Sequence, residues 1–281
     1  MPQLPHPTPA QLRRAPLPLR GRTALVTGAS RRAGIGHAVA RRLAAYGASV
    51  YLHHHVPHDA AQPWGADSPQ AVADSVREAC GDPDARVLDG PADLTDPAAP
   101  AELIVTAADA LGGRLDILVA NHALSGSDGG LDEVDADMLD AHWTTDTRSV
   151  ILLVQAYARL RAKLPPHTPG GRVLMMTSGQ DNEGGMPKEL AYALQKGALA
   201  SVTRSLATTL AEIGVTVNTV NPGPVDTGYL TGEAYDEIAA LFPAGRWGMP
   251  DDPARLLAWL ATDEAAWITG QVIDSEGGIR R

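Results

Sequence analysis

The sequence predicts an α/β fold in a single domain, built on a parallel sheet with helices on both faces. Three observations carry that prediction. An apolar β-type run, Thr23 to Thr27, leads through a glycine-rich turn into a helical pattern ending at Gly47. Further apolar runs alternate with helix-periodic segments along the chain, the order expected of βαβ units. One of those runs, Leu115 to Asn121, is apolar at nearly every position, as a strand buried on both faces must be.

Composition narrows the functional classes. A chain of 281 residues with 44% hydrophobic residues can bury a full core. Its formal net charge of -10 argues against a nucleic-acid surface. The single cysteine, Cys80, excludes a disulfide framework and a cysteine-rich metal site, and fits a reducing, cytoplasmic setting. No apolar run reaches the roughly 18 residues of a membrane span. Residues 1–20 carry prolines at 2, 5, 7, 9, 16 and 18 and predict an extended, flexible N-terminal extension. The domain proper is expected over 21–281.

Each element follows in turn. After the first strand, Gly28, Gly34 and Gly36 punctuate a turn that also holds Ser30, Arg31, Arg32 and Ile35. Strand, glycine turn and helix together bring backbone N–H groups and a helix N-terminus to a phosphate. The second strand spans Ala48 to His53. A carboxylate that would bind an adenosine ribose, about 20 residues past the turn, is replaced there by His53, His54 and His55. These histidines are expected as exposed imidazoles rather than a metal site, because adjacent strand residues face opposite ways. With no carboxylate to repel a 2′-phosphate and two arginines in the turn, NADP(H) is favoured over NAD(H). A surface loop is predicted from Val56 to Gly65, a helix from Pro69 to Ala79, and a third strand running out at Asp93 and Leu94. Ala101 to Leu111 reads as a helix and Leu139 to Leu164 as one long helix. Strands follow at Gly171 to Ser178 and Val215 to Val220.

The stretch from Ser178 to Lys196 concentrates the chemistry. Tyr192 and Lys196 are spaced i, i+4, on one helical face. An ammonium beside a phenol favours the phenolate and lowers its pKa from the usual value of about 10. That pairing supplies a proton donor for reducing a carbonyl, or an acceptor for oxidising an alcohol.

Five segments, in order, resemble the short-chain dehydrogenase/reductase family, with likeness to its 3-oxoacyl-ACP-reductase-like members. They are the glycine turn with two extra residues between Gly28 and Gly34, ValAlaAsnHisAla at 119–123, the Ser178–Tyr192–Lys196 set, AsnProGlyProValAspThrGly at 221–228, and the C-terminal segments around Trp247 and Gly270. The resemblance covers Arg20 to Gly278 and implies a single Rossmann-type domain with a seven-stranded parallel sheet, the last strand near Gln271 to Asp274. It implies Ser178 holding a substrate oxygen, Tyr192 exchanging the proton and Lys196 tuning it and binding ribose. Cofactor contacts are implied at Gly28, Ser30, Arg31, Arg32, Gly34, Ile35, Gly36, His54, Asp93, Leu94, Asn121, Ala123, Pro222, Gly223, Val225 and Thr227, besides Tyr192 and Lys196. A homodimer or homotetramer is implied as well.

Departures from the family pattern are specific. Ala123 replaces a glycine, His122 an alanine, and Asp146 the asparagine that completes the catalytic set. An ionised Asp accepts hydrogen bonds and cannot donate. His122 is read as a satisfied polar residue at a strand end. The leading expectation is hydride transfer between NADP(H) and a carbonyl or secondary alcohol of a small apolar substrate, in the ketoreductase direction. Asp146 and His122 keep a second possibility open, non-redox dehydration, isomerisation or cyclisation. A third is an NADP(H)-sensing protein without turnover. Tyr229 to Phe242 is read as the substrate lid.

Overall fold

The computed structural model describes residues 15–165, 168, 170–228 and 232–280. Most of the expected N-terminal extension, and Tyr229 and Leu230 of the expected lid, lie outside the described residues.

Alternation along each strand sends apolar side chains to both sides of one sheet. The strands are β1 (Thr23–Val26), β2 (Ser49–His54), β3 (Val87–Pro91), β4 (Ile117–Ala120), β5 (Gly171–Met176), β6 (Val215–Asn221) and β7 (Gln271–Asp274). They pair in the order β3-β2-β1-β4-β5-β6-β7, every pair parallel. The helices are α1 (Ile35–Ala45), α2 (Val56–Ala60), α3 (Pro69–Arg77), α4 (Ala99–Ala110), α5 (Ala136–His142), α6 (Ser149–Arg161), α7 (Leu190–Ala211), α8 (Glu233–Leu241) and α9 (Asp251–Leu260). Ala24, Val26, Ile117, Val119 and Leu174 face α1, α3 and α9, where Val39, Leu43, Val76 and Leu257 complete one core. Leu25, Leu118, Val173 and Met175 face the other side, packing with Ile104 of α4, Leu153 of α6 and Leu199 of α7. Burial on both faces is the physical reason these strands read as continuous apolar runs.

Three expectations change. The long helix over 139–164 is interrupted: α5 and α6 are joined by a π-helical turn, Trp143–Arg148. Within this turn the consecutive residues Asp146 and Thr147 are both buried. Thr147 is held there by its hydroxyl, which donates to the Gln195 carbonyl at 3.1 Å. The expected loop after β2 contains the short helix α2, with a proline in its first turn where a missing N–H costs nothing. Residues 15–20, read as part of the flexible extension, contribute to the core. Leu19 is buried, its N–H bonds the Tyr46 carbonyl at 2.9 Å, and Arg20 Nε meets Asp82 Oδ2 at 2.8 Å.

Leu19 therefore behaves as a core residue. Leu19→Ala is expected to cost about 2–4 kcal/mol in urea unfolding; a cost below about 0.5 kcal/mol would place this segment outside the cooperative fold.

Candidate active site

The strand order reverses between β1 and β4, so the loops leaving these strands diverge and open a crevice at their carboxyl ends. Gly28 leaves β1 with φ +67°, and a Cβ there would lie 2.7 Å from the His122 backbone. At Gly36 a Cβ would meet the Gly28 carbonyl and Asn121 Nδ2, both at 2.6 Å. Asn121 fastens this close approach: its Nδ2 donates to the Thr27 and Gly28 carbonyls at 3.1 Å each. Gly34 caps α1 without a side-chain acceptor, and the first turn of α1 holds no acid. Its leading N–H groups thus remain suited to an anion.

The arginines of the turn are already engaged. Arg31 donates to the Thr227 carbonyl at 2.8 Å and lies 5.2 Å from the centre of the Trp64 ring, bridging the glycine turn to the loop after β6. Arg32 meets Asp67 through its backbone N–H at 2.8 Å and through Nη2 at 3.2 Å. A carboxylate does stand beside this turn, contrary to the reading of the β2 terminus alone. It comes from the segment before α3, 35 residues further on, too far for strand spacing to flag.

The histidines at the end of β2 are not exposed. His53 is buried, accepts from the Gly28 N–H through Nδ1 at 3.2 Å and donates from Nε2 to the Ala92 carbonyl at 3.0 Å. Burial lowers its pKa to about 4. His54 is also buried, with Nε2 3.5 Å from Asp89 and Nδ1 without a partner among the described residues. His55 donates its N–H to Ser30 Oγ at 3.3 Å, which commits Ser30 to the β2 terminus. Leu94 is buried. The exposed Asp93 turns its carboxylate onto Thr95, and those hydrogen bonds hold it below the usual carboxylate range.

His122 is a satisfied core group. The Ser149 hydroxyl donates to the Thr145 carbonyl, so it accepts from His122 Nε2 at 2.8 Å. Nδ1 then accepts from Thr27 Oγ1 at 2.7 Å. Burial, reinforced by His53 and Lys196, drives the His122 pKa well below its ordinary value. The ring is neutral and both nitrogens are occupied.

Helix α7 carries Tyr192 and Lys196. Lys196 Nζ lies 5.3 Å from the Tyr192 ring centre and donates to the Met176 carbonyl at the end of β5, at 3.3 Å. Burial lowers the Lys196 pKa, and the Asp146 charge opposes that shift. Thr177 Oγ1 donates to the Lys196 carbonyl at 2.8 Å, so Thr177 is spent on tying β5 to α7. Ser178, at the next position, is half-buried. Asp146 is fully buried. Its Oδ1 accepts from the Leu124 N–H at 2.7 Å and its Oδ2 from His142 Nδ1 at 2.8 Å. The loop after β6 completes the crevice rim: Gly223 has φ +63° and a Cβ there would strike Glu276 at 2.4 Å, while Val225 bridges to Gly248. Pro222, Thr227 and Ala123 are half-buried around the crevice loops.

Several site residues escape sequence reading. Asp128 accepts from the Ala191 and Tyr192 N–H groups at 2.9 and 2.8 Å, capping α7 from a loop more than 60 positions earlier. Trp64 and Asp67 meet the arginines only through tertiary folding. His142 had a local signal, since it precedes Asp146 by four residues in a helical segment.

Known proteins share this architecture. The sequence model described as Enoyl-(Acyl carrier protein) reductase matches residues 28–280. Oxidoreductase YjdA of Bacillus subtilis is 42% identical over 92% of this chain and 96% of its own length. Versicolorin reductase stcU of Emericella nidulans is 33% identical over 94% and 97%. A short-chain dehydrogenase/reductase from Serratia marcescens superposes with TM-score 0.78 at 34% identity, covering 93% of this chain and 98% of that one. A Burkholderia cenocepacia short chain dehydrogenase, solved in complex with NADP, gives the same TM-score, 0.78, at 34% identity over 93% and 98%. The chain belongs to the short-chain dehydrogenase/reductase family, whose members use a nicotinamide cofactor. No described helix is long and apolar enough to cross a membrane.

The buried neutral histidines set an acid response. His53 and His122 have folded pKa values below the unfolded value of about 6.5, so the unfolded chain binds more protons in this range. Stability is expected to fall as pH falls from about 6.5 toward 4, His53 alone removing about 3 kcal/mol across that span. Urea midpoints measured from neutral pH down to pH 5 check this, and a flat series would contradict it.

Proposed function

We propose that this protein is an NADP(H)-dependent carbonyl reductase acting on a small, apolar ketone or aldehyde. The observation that carries this reading is the Tyr192–Lys196 pair, placed at the carboxyl end of β5 by Lys196 Nζ on Met176 and close along the sheet to the glycine cradle. The residues present suit a dinucleotide. Gly28 and Gly36 leave no room for a Cβ, the start of α1 is uncapped, and His54 Nδ1 is a buried polar atom awaiting a partner. Gly28, Gly34, Ile35 and Gly36 would hold the pyrophosphate side. Asp93 and Leu94 would meet the adenine, and Asn121, Lys196, Pro222, Gly223 and Thr227 the nicotinamide half. The nicotinamide, when bound, supplies the hydride.

The chain's own groups do the rest. Ser178 donates a hydrogen bond to the substrate oxygen as negative charge grows there. Tyr192 gives its phenolic proton to that oxygen, and Lys196 stabilises the phenolate left behind. His122 has no nitrogen to spare, which removes one of the two groups that favoured a non-redox reaction. Support for the reducing direction comes from relatives named as reductases of versicolorin and elsinochrome and from a solved neighbour, LugOII, described as catalysing keto-reduction. Support for NADP(H) comes from the NADP-bound neighbour. Exposed Leu194 on α7 and Trp143 before α6 favour assembly as a homodimer or homotetramer.

Fluorescence titration is expected to show NADPH binding at least about tenfold tighter than NADH, and tighter NADH would overturn the cofactor preference. Tyr192→Phe is expected to bind NADPH as the parent does while losing about 10²–10⁴-fold in kcat on a reducible carbonyl. A Tyr192→Phe enzyme with parental turnover would contradict the assignment.

A further inference from the structure

His142 plays no part in the chemistry above, yet it is almost wholly buried beneath the phenol. Its ring stands edge-on to Tyr192, with centroids 6.1 Å apart and planes at 81°. Both nitrogens face acceptors. Nδ1 lies 2.8 Å from Asp146 Oδ2 and Nε2 lies 3.1 Å from the Gly126 carbonyl. A carbonyl cannot donate, so Nε2 carries a proton. Asp146 accepts from Leu124 on its other oxygen, and toward Asp146 as a carboxylate Nδ1 carries a proton as well.

The charges around the phenol can then be counted. Lys196 contributes one positive charge, and Asp146, close enough for Lys196 to feel its field, contributes one negative. Those two alone would cancel, and the phenol would lose the field that makes it a usable acid near neutral pH. His142 as an imidazolium offsets the Asp146 charge, while the other carboxylate at the ring, Asp128, is spent on the N–H groups at the start of α7. The pair His142–Asp146 is thus an electrically neutral replacement for the neutral amide that this position has elsewhere in the family.

We propose that His142 is a positioning residue of this site, an imidazolium that neutralises the buried Asp146 carboxylate and leaves the charge of Lys196 uncancelled beside Tyr192. This rests on the reading of Tyr192 as the proton donor. Other groups face the ring from every side. Asp128, the cap of α7, approaches Nε2 to 4.0 Å, and Glu189 at the start of α7 feels both Asp128 and His142. Asp146 lies on the π-helical turn, and the Tyr192 ring closes the α7 side. Burial opposes the charged ring, while Asp146, the Gly126 carbonyl and Asp128 favour it, and the balance raises the His142 pKa above its ordinary value. The double hydrogen-bonding geometry points the same way independently of that balance.

Two measurements, neither needing cofactor or substrate, test the proposal apart from the redox assay. In wild-type protein labelled with ¹⁵N-histidine, one imidazole is expected to stay doubly protonated to higher pH than the rest, with its midpoint above the ordinary value of about 6.5. A titration in which every histidine has its midpoint at or below that value overturns the proposal. Tyrosinate absorbance, taken as the difference between each protein and its Tyr192→Phe counterpart, reports the Tyr192 midpoint. His142→Gln is expected to move it upward by about one pH unit, and His142→Gln combined with Asp146→Asn to return it. An unmoved midpoint in folded His142→Gln overturns the proposal, as does a shift that Asp146→Asn fails to rescue. Should His142→Gln fail to fold, the wild-type ¹⁵N spectrum decides alone.

Discussion

The site depends on the contact between the glycine turn after β1 and the backbone leaving β4. Gly28 and Gly36 come so close to His122, Asn121 and each other that any side chain would collide. Asn121 then spends its amide on the Thr27 and Gly28 carbonyls. This contact fixes where β4 exits, and from there the constraint propagates. His122 reaches α6 through Ser149, and Leu124 reaches the π-helical turn through Asp146. Thr147 of that turn bonds Gln195 of α7, one residue before Lys196. The glycine cradle and the Tyr192–Lys196 pair are therefore parts of one hydrogen-bonded unit.

Buried charge is the second organising theme. Lys196, Asp146 and His142 lie out of water, where an unpaired charge is costly and a paired one is held firmly. Asp146 lies on the π-helical turn, where it and the next residue, Thr147, are both buried. Such turns often mark functional sites, and here the turn carries the residue that departs from the family pattern.

Much of the architecture was legible before folding was considered. Strand and helix positions followed from apolar runs and periodicity because the parallel sheet is buried on both faces and the glycines mark its turns. The Tyr192–Lys196 pair was legible because i, i+4 spacing is local. Contacts that close over long sequence distances were not. Asp67 on Arg32, Asp128 on the α7 N-terminus and Leu19 in the core are set by tertiary packing. The histidines at the end of β2 are buried, against expectation, for a related reason. A polar residue at a strand end looks exposed until the neighbouring loop, here bringing Ala92 to His53 Nε2, covers it. The single long helix failed because a π-helical turn needs no proline or glycine to announce it.

The account turns on carbonyl reduction with proton transfer from Tyr192, and isotope tracing tests this most directly. With NADPH deuterated at C4 of the nicotinamide and a panel of apolar ketones, the account predicts alcohols carrying one deuterium on the carbinol carbon. The transfer should be stereospecific, from one face of the ring only. A product formed without deuterium, or with no oxidation of the cofactor, would contradict it and assign this site to acid–base chemistry alone.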